Sequence, residues 1–152
     1  MDSKDLRILK LIQENCKLTV RELARLVKSP ATTVHSRIKK LEREGVIKGY
    51  KAIVDAGKVG FRTTAFILVS FSYNGLSQRE VARKIAGIPE VQEVHIITGD
   101  WDMILKVKVR DVEELGRLVI DKLRTIEGVE KTLTCVVLDT AKETTELPLR
   151  EP

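Results

Sequence analysis

Apolar residues in the first third of the chain recur at helical spacing. Leu6, Ile8, Leu9, Leu11 and Ile12 mark one face of a helix over residues 3–15, and Val34, Ile38 and Leu41, spaced by four and three, mark another over residues 30–44. Between them, Thr19 and Glu22 stand at capping-box spacing, flanked by Leu18 and Leu23 as a hydrophobic staple, and predict a helix over residues 19–27. Only Lys28 separates this helix from Ser29, the predicted N-cap of the next, whose first position is Pro30 and whose end is a left-handed Gly45. Two helices joined so briefly make a helix-turn-helix, with the second as the reader. The apolar run at residues 46–54 predicts a strand or small wing leading into a linker.

Beyond residue 60 the period shortens and the pattern runs twice. A strand-like stretch over residues 61–73 is followed by a turn at Asn74 and Gly75 and a helix capped by Ser77 with Glu80, its staple formed by Leu76 and Val81, ending at Gly87. Strands over residues 91–98 and 101–109 flank a hairpin turn at Gly99 and Asp100. Asp111 with Glu114 then caps a helix to about Arg124, Gly128 breaks the chain, and residues 129–138 close the set. Two βαβ units in succession give βαββαβ, a ferredoxin-like sheet with both helices on one side. The fold class is therefore α+β: a three-helix unit over residues 1–50, a linker strand over 51–61, a ferredoxin-like domain over 62–140 and a tail over 141–152. Phe66, Ile67, Leu68 and Val69 are apolar on successive residues, so both faces of that strand want cover, and a homodimer through the open sheet face is expected. The polar, proline-containing tail reads as a frayed terminus or a brace for a neighbouring subunit.

Charge separates the two parts. Residues 1–55 hold 13 Lys and Arg against 7 Asp and Glu, and residues 56–152 hold 14 against 15, so the whole net charge of +5 resides in the first third. Such asymmetry fits a polyanion-binding domain joined to one with other business. No helix pairs a basic face with surplus bulky apolar groups, so the polyanion is double-stranded DNA and not a membrane. Thr32, Thr33, His35, Ser36 and Lys39 face outward from the early turns of the reader helix as candidates for base edges, and Ser29 lies at its start. Arg37 and Lys40 are placed on phosphates, although Arg37 can also pair with Glu44 or with an acid elsewhere in the domain.

Other chemistry is sparse. Cys16 and Cys135 have no CxxC spacing and read as small hydrophobes of a reducing compartment, and with His35 and His95 they are too scattered for zinc. Neither a metal nor a cofactor is called for. Met1 is followed directly by charge and no apolar run approaches a membrane span, which points to a cytoplasmic protein. Few Asn, Gln, Cys and Met beside 32% charged residues is a bias of thermophile proteins.

The opening DLRILKLIQ, the block SRIKKLEREGVIKGY at residues 36–50 and TGDWDM at residues 98–103 resemble the recurrent phrases of Lrp/AsnC (feast/famine) transcriptional regulators. The resemblance covers nearly the whole chain. It implies an N-terminal winged helix-turn-helix, a C-terminal ferredoxin-like effector domain, dimers assembling to octamers, and an amino acid bound between effector domains. The family's effector loop falls on Thr98, Gly99, Asp100, Trp101 and Asp102. A free amino acid needs donors for its carboxylate and a carboxylate for its ammonium; Thr98 and the main chain at Gly99 suit the first, Asp100 and Asp102 the second, and Trp101 forms a wall. By itself Gly-Asp between strands is an ordinary turn. Thr132 and Thr134 alternate on the last strand and are assigned to the same cleft. An effector-free architectural protein that wraps DNA is the alternative, and a sirohaem-decarboxylase-like enzyme is a third reading. The last is disfavoured by an idle reader helix and by the lack of any acid-base pair, so no catalytic residue is assigned.

Overall fold

The computed structural model describes residues 1–150. The chain divides into two compact units, one of residues 1–53 together with the segment from residue 142 onward, and one of residues 54–141.

The first unit holds α1 (Ser3–Glu14), α2 (Val20–Leu26) and α3 (Ala31–Arg43). Asp2 caps α1 and shares a reciprocal capping box with Asp5, and Thr19 and Glu22 do the same for α2. Ile8, Leu23, Ala24, Val27 and Val34 are buried together, with Leu11, Ile12, Leu18, Val20 and Ile38 packed around them. Full burial of one such aliphatic side chain contributes about 1.5–3 kcal/mol, so this small cluster suffices to fix three short helices that would fray alone.

Two ends of this unit depart from expectation. Pro30 has ψ 143 and is itself the N-cap of α3, with no side-chain cap bond. Ser29 therefore sits one residue too early for its hydroxyl to reach the first free amides. Its N–H instead closes the end of α2 by donating to the Ala24 carbonyl at 3.0 Å, an arrangement that holds Lys28 left-handed at φ 51. Residues 46–54 form no strand: Val46, Tyr50, Ile53 and Val54 are exposed, and no strand within the unit offers their backbone a ladder.

The second unit contains β1 (Thr63–Phe71), α4 (Gln78–Ala86), β2 (Val91–Ile96), β3 (Met103–Val109), α5 (Val112–Arg117) with a π-helical continuation Leu118–Leu123, and β4 (Val129–Val136). Its antiparallel sheet has the order β2-β3-β1-β4, the ferredoxin-like arrangement. Ser77 and Glu80 form the capping box of α4, and Gly87 ends it. Ala65, Ile67, Val69, Met103, Leu105, Val107 and Val109 face the helices, where they bury Val81, Ile85, Leu115, Leu118 and Leu123. The alternate residues of β1 look the other way, and Phe66 stands beside Lys106 on one neighbour and Cys135 on the other. β2 stops at Ile96 and β3 starts at Met103, so the expected two-residue hairpin is instead a loop over residues 97–102, closed by the Ile97 N–H donating to the Asp102 carbonyl at 2.9 Å. Cys16 and Cys135 are both exposed free thiols, not packed hydrophobes.

Candidate functional site

On α3 the buried Val34 and Leu41 fix which way the helix faces. Opposite them stand Thr32, Ser36, Lys39 and Arg43, all exposed, with exposed His35 and Lys40 to either side and Thr33 half-buried. Arg43 stands one turn after Lys39, beyond the early turns expected to meet base edges. Lys39 Nζ meets Glu42 Oε2 at 2.9 Å, and the Tyr50 hydroxyl donates to Glu42 Oε1 at 3.1 Å. These bonds, Lys39 first, hold the Glu42 carboxyl below its ordinary range, while burial and then the Glu42 contact push Tyr50 up. Lys40 approaches Glu44 only to 3.9 Å. The Ser36 hydroxyl turns back to donate to the Thr33 carbonyl at 2.9 Å.

Arg37 has a different employment. Its Nη1 donates to Asp2 Oδ2 and Asp5 Oδ1, each at 2.7 Å, and the Asp5 side chain is only 7% exposed. The guanidinium thus locks the start of α1 to the middle of α3, and its own charge is reinforced by Asp5 and then Asp2. Pairing with an acid elsewhere in the domain, and not with Glu44, is what the side chain does.

In the second unit two adjoining hollows of 440 and 590 Å³ share Trp101, Glu130 and Lys131. The first adds Ser70, Phe71, Asp100 and Asp102; the second adds Arg124, Val129, Thr132 and Leu133. Asp100 and Asp102 line only the first hollow and Arg124 only the second, while Glu130 and Lys131 line both. Asp100, Arg124 and Lys131 have no ion-pair partner among the described residues. Asp102 is committed internally: Oδ2 accepts the Phe71 N–H at 2.7 Å, where the β1–β4 register shifts, and Oδ1 accepts the Gln78 amide at 3.3 Å. It therefore shapes the loop and leaves Asp100 as the free carboxylate. Thr132 lines the cleft, whereas Thr98, Gly99 and Thr134 are not among its lining residues; Gly99, at φ +111, supplies the left-handed bend that brings Asp100 and Trp101 round. Arg124 and the Glu130–Lys131 pair escaped the sequence reading, since only the helix end after Leu123 and the β4 register bring them to Trp101.

A family model described as winged helix-turn-helix DNA-binding matches residues 1–48, and one described as Lrp/AsnC ligand binding domain matches residues 64–147. The chain belongs to the Lrp/AsnC family of transcriptional regulators. It is 46% identical over 144 residues to an uncharacterised HTH-type transcriptional regulator of Pyrococcus abyssi, covering 94% of this chain and 96% of that one. To the HTH-type transcriptional regulator FL11 of Pyrococcus horikoshii it is 41% identical over 150 residues, covering 99% and 97%. A transcriptional regulator of Neisseria meningitidis, solved as a complex with L-Met, superposes with a TM-score of 0.93 at 32% identity over 98% of this chain and 97% of that one. As an Lrp/AsnC regulator the protein carries a winged helix-turn-helix DNA-binding region over residues 1–48 and a ligand binding domain over residues 64–147. No helix among the described residues is long and apolar enough to cross a membrane, and none of them cluster as a metal site.

Proposed function

We propose that the protein is a sequence-specific DNA-binding regulator whose hold on DNA responds to a free amino acid bound beside Trp101. The observation that carries this is the pairing of opposite charges around that side chain, with Asp100 in one hollow, Arg124 in the adjoining one and Lys131 lining both. An amino acid presents an ammonium and a carboxylate from one carbon and meets a partner for each there. The L-Met complex of the Neisseria structure supports the ligand class. Thr132 and the Thr98–Gly99 bend complete the site, and Asp102 holds its shape.

On DNA, Thr32, Ser36 and Lys39 read base edges with His35 and Thr33 beside them, and Lys40 and Arg43 grip phosphates. Two copies pair through the open sheet face, where Phe66, Leu133 and Cys135 are exposed and Leu68 and Ile104 half-buried, and dimers gather into octamers. The pairing supplies the two-fold axis that two half-sites require.

A thermal-shift screen against each of the twenty amino acids at millimolar concentration tests the ligand half, because a ligand at 100 times its Kd adds about 2.7 kcal/mol per site. A rise with one or a few of them, lost in Asp100→Ala, is expected; no rise with any overturns it. For the DNA half, Lys40→Ala is expected to weaken binding to all sequences and lower the log-log salt slope by about one. An unchanged slope removes Lys40 from the interface.

A further inference from the structure

The C-terminal segment is held by one side chain of α1. Gln13, in the last turn of that helix, accepts the Leu147 N–H on Oε1 at 2.8 Å and donates from Nε2 to the Leu147 carbonyl at 3.1 Å. The two bonds form a closed ring in which a side-chain amide stands in for a neighbouring strand's peptide group. They recognise backbone and not the Leu147 side chain, which is exposed. The local chain is set for it: the Glu146 N–H bonds the Thr144 hydroxyl at 3.1 Å, the Leu149 N–H turns back to the Leu147 carbonyl at 2.8 Å, and Pro148 between them has a fixed φ. Upstream, the Val137 N–H still bonds the Thr64 carbonyl at 2.9 Å, extending the ladder past the end of β4. The chain is thus anchored to the sheet at Val137 and to α1 at Leu147.

These anchors give the polypeptide a second passage between the units, after residue 141, in addition to the one after residue 53. Ten residues separate Val137 from Leu147, a tether of at most about 36 Å when fully extended. We propose that residues 142–149 are a strap that restrains the DNA-binding unit, with Gln13 as its clasp. A unit on one linker explores whatever that linker permits; a unit on two explores only the overlap, and its effective concentration at a second half-site is correspondingly higher. The strap also continues β4, whose Glu130, Lys131 and Thr132 line the Trp101 cleft, so whatever moves that strand pulls on the strap. The inference rests on the assignment of the first unit as DNA-binding and not on the amino-acid reading.

Both halves are measurable in the ¹⁵N-labelled full chain with neither DNA nor amino acid present. The Leu147 amide is expected to exchange about fivefold slower than the unstructured rate for its sequence, the protection that one solvent-exposed hydrogen bond gives. Gln13→Leu, which fills the same space without donor or acceptor, is expected to abolish that protection and to shorten the effective tumbling time of the α1–α3 amides relative to those of the sheet. Leu147→Pro, which removes the N–H and touches no helix, leaves no amide to follow at that position but should shorten the same relative tumbling time even if Gln13→Leu disturbs α1. A Leu147 amide exchanging at the unstructured rate in the native chain overturns the clasp. Protection lost in Gln13→Leu with no change in relative tumbling in either variant overturns the restraint.

Discussion

Arg37 shows how one side chain can look like a DNA contact and serve a core. It lies on a basic helix beside Lys39 and Lys40, yet both carboxylates it meets belong to α1, and one of them, Asp5, is buried. Removing it leaves a carboxylate in a low-dielectric setting with no cation, the costly half of any buried ion pair. Because the guanidinium is itself partly exposed, Arg37→Ala is expected to destabilise the first unit by about 2–3 kcal/mol, below the range for a fully buried pair. Urea unfolding followed by a probe in that unit reads the loss. The log-log salt slope for DNA binding should stay within error of the native value; a slope lowered by about one places Arg37 on a phosphate after all.

At the scale of elements, helix positions were legible in the sequence because caps are local. Asp111, Thr19 and Ser77 each accept the backbone N–H three residues on, a bond that needs no tertiary partner. What depends on a partner across the fold was not legible. The strand expected over residues 46–54 found no ladder, the turn at residues 97–102 widened because Asp102 is drawn to Phe71 and Gln78, and the expected α-helix to Arg124 finishes as a π-helical run. The effector loop was legible as a phrase, but its cationic side came from Arg124 and Lys131, which no spacing links to Trp101. Gly128 is the element-scale hinge of this domain: at φ +95 it turns the chain into β4, and a Cβ there would lie 2.7 Å from Val81 Cγ2 and 3.3 Å from Phe71 Cε2. Backbone strain and overpacking combine, so Gly128→Ala is expected to cost about 2–4 kcal/mol. Differential scanning calorimetry should place the loss in the sheet domain, leaving any separate transition of the helical unit unmoved.

Across the whole molecule, the ends of helices set the response to acid. Glu22 is held below its ordinary 4.5 by the Thr19 N–H and then its hydroxyl, Glu80 by the Ser77 hydroxyl and then its N–H, Glu90 by Lys122, and Asp2 below 3.8 by the Asp5 N–H and then Arg37. A carboxyl whose folded value is depressed lends stability that is complete above its unfolded value and disappears as pH falls through the folded one. The urea midpoint is therefore expected to be level down to about pH 5 and to decline below 4.5, in both units, since both carry such groups; a midpoint still level at pH 3 contradicts these bonds. Chain path matters at this scale too. The ferredoxin-like domain, continuous over residues 54–141, is an insertion within the helical unit, whose own chain is discontinuous. Residues 1–53 contain all three helices but not the backbone that Gln13 holds. A nick in the linker would then leave residues 1–53 with no covalent bond to the rest, held to the tail by contacts such as the two that Gln13 makes with Leu147.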